Sequence, residues 1–158
     1  MEKDKTIERI KSCMLMESIC STVYHLMAFN FPNDKELWNE LAFDEESHAE
    51  IIIKAMGFEH KDYADFTVPP ELNRVRKTIN YAKEIKEKLL NNKILLKEAL
   101  EMVKTLQEFK NESYYYDLLE KETEDRVKNV FKRFFEIDKS NLNLIQAVMI
   151  KYGLKTGS

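Results

Sequence analysis

Residues 14–53, MLMESICSTVYHLMAFNFPNDKELWNELAFDEESHAEIII, carry two amphipathic patterns with one short break between them. In each pattern apolar side chains recur every three or four residues, which is the period of an α-helix with one buried side. The break is FPND, residues 31–34: its proline stops the first helix, and Asn33 followed by Glu36 fits a capping box for the second. The stretch therefore predicts two long helices joined by a tight turn.

Turn-forming residues are scarce in the whole chain, which has three glycines and three prolines among 158 residues. A multi-stranded sheet needs more turns than this, so we expect helices throughout. Hydrophobic residues make up 44% and charged residues 34%, which fits a globular domain and excludes a disordered chain. A chain of this length is long enough for one domain with a sizeable core.

Net charge and hydropathy indicate which partners and which cellular compartment to expect. The 25 basic and 28 acidic residues give a net charge of −3, which argues against nucleic acid as the main partner. No apolar run approaches the roughly 18 residues of a membrane span. The segment MEKDKTIERIK lacks the apolar stretch of a signal peptide. We therefore expect a cytoplasmic protein with neither a nucleic-acid nor a membrane partner.

The helical period predicts five helices. Gly57 is expected to end the second helix, and residues 58–69 look like a connection. We predict one domain over 1–152 and a tail over 153–158, with bundle helices over about 5–28, 34–56, 93–120 and 125–152 and a crossover helix over about 70–90. This order is the plan of an all-α four-helix bundle, running up-down-down-up, with one long helical connection.

The two predicted helix pairs resemble each other at an offset of about 90 residues, with apolar positions falling on apolar positions. Each apolar stripe also contains polar positions. They are Glu17, Glu45 and His48 in the first pair, and Gln107, Asp138 and Asn141 in the second. An ionised carboxylate on a buried stripe is costly unless it is paired or bound to a cation, so these six positions are the candidates for chemistry.

Two interpretations of these positions remain open. Glu45 and His48 are three residues apart, so they project from the same side of the second helix and can bind one ion together. A carboxylate oxygen with an imidazole nitrogen suits iron, manganese or zinc better than magnesium or calcium. In the other interpretation the six positions form a buried polar network without a metal.

The stretch 14–53 resembles the first half of a rubrerythrin-like protein, a member of the ferritin-like carboxylate superfamily. In that plan one Glu from each of two helices joins a Glu-x-x-His motif from each of the other two to hold a pair of metal ions. Glu17 matches the single Glu, and EESH at residues 45–48 matches the Glu-x-x-His motif. The segments 96–122 and 134–145 keep the helical frame of the second half, so the resemblance covers nearly the whole chain.

The second half departs from the family pattern at three ligand positions. The resemblance implies Glu, Glu and His where this chain has Gln107, Asp138 and Asn141. Amides are poor ligands for a hard cation, so the resemblance implies a single-metal or unsymmetrical site. Its ligands would be Glu17, Glu45 and His48, with Asp138 as a ligand or bridge, Gln107 and Asn141 in the positions of lost ligands, and Tyr24 as a hydrogen-bond donor behind them.

Other carboxylates on the fourth helix could replace the lost one. Glu108 and Glu112 would do so if the helix were rotated by one position, and Glu98 and Glu101 could do so from further up. Gln107 lies on the apolar stripe, whereas Glu108 is turned about 100° away from it. We therefore expect Gln107 to face the core.

Several prominent residues receive no functional role. His25 and His60 have no cluster of acidic groups on a common face, and Glu46 is expected to be a solvated charge. The motif SYYYD, residues 113–117, is expected to present one tyrosine to the core and two to solvent or to a partner.

Two functions follow from these expectations. The first is iron-dependent reduction of peroxide or oxygen, or iron handling, with a non-haem iron oxidoreductase of peroxidase or ferroxidase type as the enzyme class. Manganese or zinc could replace iron, and one ion or none could be bound. Cys13 and Cys20 are too few for a rubredoxin-type iron site, so such an enzyme would need an external electron donor. The second function is a metal-free binding or assembly module without catalysis, and a homodimer is expected.

Overall fold

The computed structural model describes residues 2–56 and 68–157, and in these residues the chain is helical and contains no strand. The five α-helices are α1 (Glu2–Asn30), α2 (Lys35–Met56), α3 (Asn73–Leu90), α4 (Leu96–Glu112) and α5 (Asp125–Lys151). A 3-10 helix, Pro32–Asp34, separates α1 from α2, and a π-helix, Ser113–Leu119, continues α4. The prediction of an all-helical chain is confirmed for the described residues. Gly57, His60 and most of the predicted connection lie outside them.

The helices pack side by side around one core. Helix α1 packs along α2 and also contacts α3, while α4 contacts both α3 and α5. Tyr24 and Trp38 stack with their ring centroids 6.3 Å apart, and the Tyr114 ring lies 6.2 and 6.1 Å from those of Phe131 and Phe134. These large side chains are buried, so α1, α2, α4 and α5 all contribute aromatic or apolar area to the same interior.

Two contacts fix the ends of the helices relative to one another. At one end, Lys151 and Tyr152 reach Asp34 at 2.7 and 2.6 Å, which ties the end of α5 to the start of α2. At the other end, the Thr6 hydroxyl donates a hydrogen bond of 3.0 Å to Glu122, which ties the start of α1 to the segment that precedes α5. Helices α2 and α5 are therefore antiparallel neighbours.

The fourth helical segment differs from the expected continuous helix over 93–120. Asn92 adopts a positive φ of 51°, which asparagine tolerates better than most residues, and the α-helix begins only at Leu96. From Ser113 the wider π-helical turn buries Tyr114 and Asp117, while Tyr115 and Tyr116 remain 47% and 42% exposed. The expectation that one tyrosine of SYYYD faces the core is confirmed.

None of the helices that the structure describes is both long enough and apolar enough to cross a membrane.

The π-helix caps α3 from a distant part of the chain. The first backbone N–H groups of a helix have no partner within it, and here no side chain at the start of α3 provides one. The Asp117 carboxylate accepts hydrogen bonds of 2.8 and 3.2 Å from the backbone N–H groups of Arg74 and Val75. Asp117 therefore joins the start of α3 to the end of α4.

We expect Asp117→Ala to lower the free energy of unfolding by about 1–2 kcal/mol, the usual cost of removing a helix cap, because the buried N–H groups lose their acceptor. Urea denaturation followed by circular dichroism measures the change. Glu120→Ala, which removes an exposed carboxylate of the same segment, is the control and should be neutral. Equal stabilities of the two variants would contradict this role of Asp117.

Candidate functional site

Five ionisable side chains from four helices meet in the interior. They are Glu17 from α1, Glu45 and His48 from α2, Lys110 from α4 and Asp138 from α5. His48 is 2% exposed and the other four are 0% exposed. We call this group the central cluster. Because charged side chains are almost never fully buried without partners, the contacts among these five determine what the cluster can do.

Three members of the central cluster have the arrangement of a metal-binding group. Glu17, Glu45 and His48 each offer one ligand atom, and these atoms all lie within 4.8 Å of one another. The His48 Nδ1 atom is 3.3 Å from the Glu17 Oε2 atom, and the imidazole stacks on the Phe134 ring with a centroid distance of 4.2 Å. This buried group could bind a metal ion, and the structure does not indicate which metal.

The ammonium group of Lys110 lies among the same carboxylates. Its Nζ atom donates hydrogen bonds of 2.9 Å to Glu17 Oε2 and 3.1 Å to Asp138 Oδ1. It also contacts Glu45 Oε2. An ammonium carries three N–H donors on one compact charge, and here it meets one carboxylate from each of three helices.

This arrangement decides how well the residues fit a metal ion. A divalent cation bound to Glu17 and Glu45 would lie close to the Lys110 ammonium, and two positive charges a few ångströms apart in a buried site repel each other strongly. One oxygen of each of these carboxylates, Glu17 Oε2 and Glu45 Oε2, is already in contact with the Lys110 Nζ atom. The residues as arranged therefore fit a lysine ammonium, and they fit a metal ion only if the ammonium leaves.

Three pKa values in the central cluster are raised, which favours the protonated forms of these groups. Burial alone would lower the pKa of Lys110, but the Asp138 and Glu17 carboxylates outweigh burial and raise it, so the ammonium stays protonated. Burial raises the pKa of Asp138 to about 6, although Lys110 opposes that shift. Burial also acts to lower the pKa of His48, and the Glu17 carboxylate reverses this and raises it.

The cluster contains a positive charge that compensates part of its negative charge without an added ion. The Lys110 ammonium contacts the carboxyl groups of Glu17, Glu45 and Asp138, and burial raises the pKa of Asp138, which lowers the negative charge of the group as the pH falls toward about 6. Attraction between the ammonium and the carboxylates offsets part of the desolvation cost of burying them.

The predicted positions of lost ligands are buried beside the cluster. Gln107 accepts a hydrogen bond of 2.6 Å from the Tyr24 hydroxyl and donates one of 3.4 Å to Asn111. Tyr24 thus donates to an amide and not to one of the acids. Asn141 is 3% exposed, and its Nδ2 atom has no hydrogen-bond partner among the described residues.

The expected orientation of the fourth helix is confirmed, because Gln107 is fully buried. Glu108 instead forms an ion pair of 3.2 Å with Lys104, and its side chain is 41% exposed. Gln107 therefore follows the buried stripe, and Glu108 supplies no carboxylate to the interior.

The sequence reasoning missed Lys110, although the helical period contained a signal for it. Lys110 lies three residues after Gln107, and it shares the buried side of α4 with Val103 and Leu106. A lysine is normally assigned to the surface, because burying its charge requires partners that a single helix does not reveal. The partners here come from three other helices.

His25, to which the sequence assigns no functional role, contacts one acid of the second helix. The His25 Nε2 atom lies 2.6 Å from the Glu46 Oε1 atom, which also accepts a hydrogen bond of 3.0 Å from Ser21. Both side chains are about half exposed, so this contact between α1 and α2 lies at the surface and has small energetic value.

Comparisons with known proteins do not identify the site. No protein-family model, no curated protein and no solved structure matches this chain. Its function is therefore inferred from the chemistry of the central cluster.

We expect ionisation of Asp138 to destabilise the folded protein. Its pKa is about 6 in the folded state and near 3.9 in an unfolded chain, so the folded state holds the proton more tightly. The free energy of unfolding should therefore fall as the pH rises from about 4 to 6, by at most about 3 kcal/mol. Urea denaturation of wild type and Asp138→Asn over this range measures the effect.

The Asp138→Asn variant lacks the titrating group, so its stability should gain on that of the wild type as the pH rises. Glu136→Gln, an exposed acid of the same helix, is the control and should follow the wild-type curve. A constant difference between wild type and Asp138→Asn from pH 4 to 7 would contradict the raised pKa.

Proposed function

We propose that this chain is a rubrerythrin-like member of the ferritin-like superfamily that acts as a metal-independent binding or assembly module. In this proposal α1, α2, α4 and α5 form the four-helix bundle, and α3 is the crossover helix. The helix order, the contacts of α3 with α1 and α4, and the meeting of four helices at one buried charged cluster support the fold.

One observation carries the proposal for a metal-independent role: the Lys110 ammonium contacts all three carboxylates of the central cluster. A ferritin-like centre that reduces peroxide needs a redox metal with an open coordination position. In this chain the Lys110 ammonium lies between the carboxylates. An ammonium does not change its oxidation state, and it exchanges no ligands.

The burial of the central cluster supports the same conclusion. A substrate such as peroxide must reach the reacting centre, but the five members of the cluster are at most 2% exposed. The cavity that opens between α1 and α2 is lined by other residues of these helices, including Ser21, His25 and Glu46. The cluster thus resembles a closed core network more than an open catalytic site.

A second candidate function is a metal-dependent oxidoreductase or iron-handling protein. The compact arrangement of Glu17, Glu45 and His48 favours it, because this group could bind iron, manganese or zinc. Such a function requires Lys110 to withdraw from the carboxylates, and it requires an external electron donor for turnover.

We expect protein purified without chelator to contain only substoichiometric iron, manganese and zinc, because Lys110 already supplies the positive charge. Elemental analysis measures the bound metal, and thermal unfolding with added Fe(II) under anaerobic conditions, Mn(II) or Zn(II) should show no rise in Tm. About one or two equivalents of metal that disappear in His48→Ala, with a Tm that rises with metal concentration as linkage requires, would overturn the metal-independent proposal.

The assembly part of the proposal concerns the outer side of α5. Ile137 and Leu144 are 39% and 41% exposed, and because they are seven residues apart they lie on the same side of the helix. A larger apolar patch around two such side chains would mark a protein–protein contact. We propose that they contribute to a homodimer.

We expect the wild type to sediment as a dimer and Ile137→Lys/Leu144→Lys to sediment as a folded monomer, because two buried charges would oppose the contact. Asn129→Lys/Asn143→Lys adds the same charge at exposed polar positions of α5 and should remain dimeric. Wild-type protein that stays monomeric at the highest concentration tested would contradict the dimer.

A further inference from the structure

The position of Lys110 has a consequence for the residues around it. Its Nζ atom lies within hydrogen-bond distance of Glu17 Oε2 and Asp138 Oδ1 and in contact with Glu45 Oε2. One nitrogen atom thus contacts one oxygen atom from each of α1, α2 and α5. These three oxygens surround a single point, which is the geometry that a small cation requires.

The same carboxylates have further binding capacity. Glu17 Oε1, Glu45 Oε1 and Asp138 Oδ2 are buried and have no hydrogen-bond partner among the described residues. Ionised carboxylates accept several hydrogen bonds or metal contacts, so Lys110 uses only part of what these groups offer. His48 adds an imidazole whose Nδ1 atom is 3.3 Å from Glu17. Without the lysine, Glu17, Glu45 and His48 keep ligand atoms within 4.8 Å of one another, and the Asp138 carboxylate lies next to the place that the ammonium leaves.

Charge also favours a replacement ion in that case. Without Lys110 the cluster keeps three carboxylates and one imidazole, all at most 2% exposed. Unpaired buried carboxylates are costly, so they either take up protons or bind a cation. A divalent transition metal would compensate two negative charges at once and would bind the neutral imidazole, with release of the cluster's protons.

We propose that Lys110 alone keeps the central cluster closed to metal, and that removing its ammonium converts Glu17, Glu45, His48 and Asp138 into a site for one divalent transition-metal ion. The inference rests on the proposed metal-independent function. It attributes the metal-independent role to the Lys110 side chain and not to the amides of Gln107 and Asn141. Lys110 is thus an internal substitute for the metal ion.

Zinc and cobalt binding to the wild type and four variants tests the proposal. Lys110→Ala removes the ammonium, and Lys110→Ala/Asp138→Asn also removes one negative charge, which reduces the repulsion that could prevent folding. Lys104→Ala is the matched control, because it removes a lysine of the same helix whose partner is the surface residue Glu108. Equilibrium dialysis measures zinc, and the visible absorption of Co(II) reports ordered coordination.

We expect Lys110→Ala to bind one ion per chain, with an affinity at least about a hundredfold above that of the wild type, because a repelling charge at contact distance is gone. Lys110→Ala/Asp138→Asn keeps Glu17, Glu45 and His48, and it should bind the ion more weakly than Lys110→Ala and more tightly than the wild type. The Tm of both Lys110 variants should rise with zinc concentration, while wild type and Lys104→Ala should not respond. If Lys110→Ala is unfolded without metal, zinc should restore its helical circular dichroism. Adding Glu45→Gln and His48→Ala to the Lys110→Ala variant should abolish the gain.

Two contrary results have different meanings. Metal bound stoichiometrically by the wild type overturns the proposed function itself. A metal-free wild type whose Lys110 variants fold and bind no more zinc than it does overturns only the inference about Lys110. Variants that remain unfolded in zinc also count against the inference, because a dication should replace the missing charge.

Discussion

The contact between one buried ammonium and three buried carboxylates sets the conditions for the rest of the structure. Lys110 contacts Glu17, Glu45 and Asp138, which come from α1, α2 and α5. The contact exists only if these helices and α4 keep their rotation about, and their position along, their axes. Removing one partner from a buried ionic group leaves the others without compensation, and the cost is correspondingly large. The cluster thus links the orientations of four helices, in addition to their apolar contacts and to polar contacts such as Tyr24–Gln107 and Lys151–Asp34.

The surrounding structure isolates this cluster from water. The His48 ring stacks on Phe134, the Tyr24 hydroxyl is directed to Gln107, and the Tyr24 ring stacks on Trp38. Burial raises the pKa of Asp138, whereas for Lys110 and His48 the neighbouring carboxylates outweigh burial and raise the pKa, so all three groups move toward the protonated form. Bound protons and the Lys110 ammonium thus compensate the charge of the buried acids, as a metal ion does in a metal site.

The sequence predicted most of the helices, but it predicted the central cluster only in part. Helical periodicity placed Glu17, Glu45, His48 and Asp138 on buried sides, and each of them is buried. Periodicity describes one helix at a time, however, and the reason for burying Lys110 lies on three other helices. The π-helix after Glu112 was unpredictable for the same reason, because Asp117 turns inward to cap α3, far away along the chain.

The state of the Lys110 ammonium tests the account most directly. The protonated side-chain nitrogens of 15N-labelled lysines can be observed by NMR, and surface ammonium groups exchange their protons rapidly with water. The account predicts one protected ammonium signal that persists when the pH exceeds the ordinary lysine pKa of about 10.4 and that is absent from Lys110→Ala. A spectrum without such a signal, or a Lys110 nitrogen that titrates as surface lysines do, would contradict a buried ammonium at the centre of this fold.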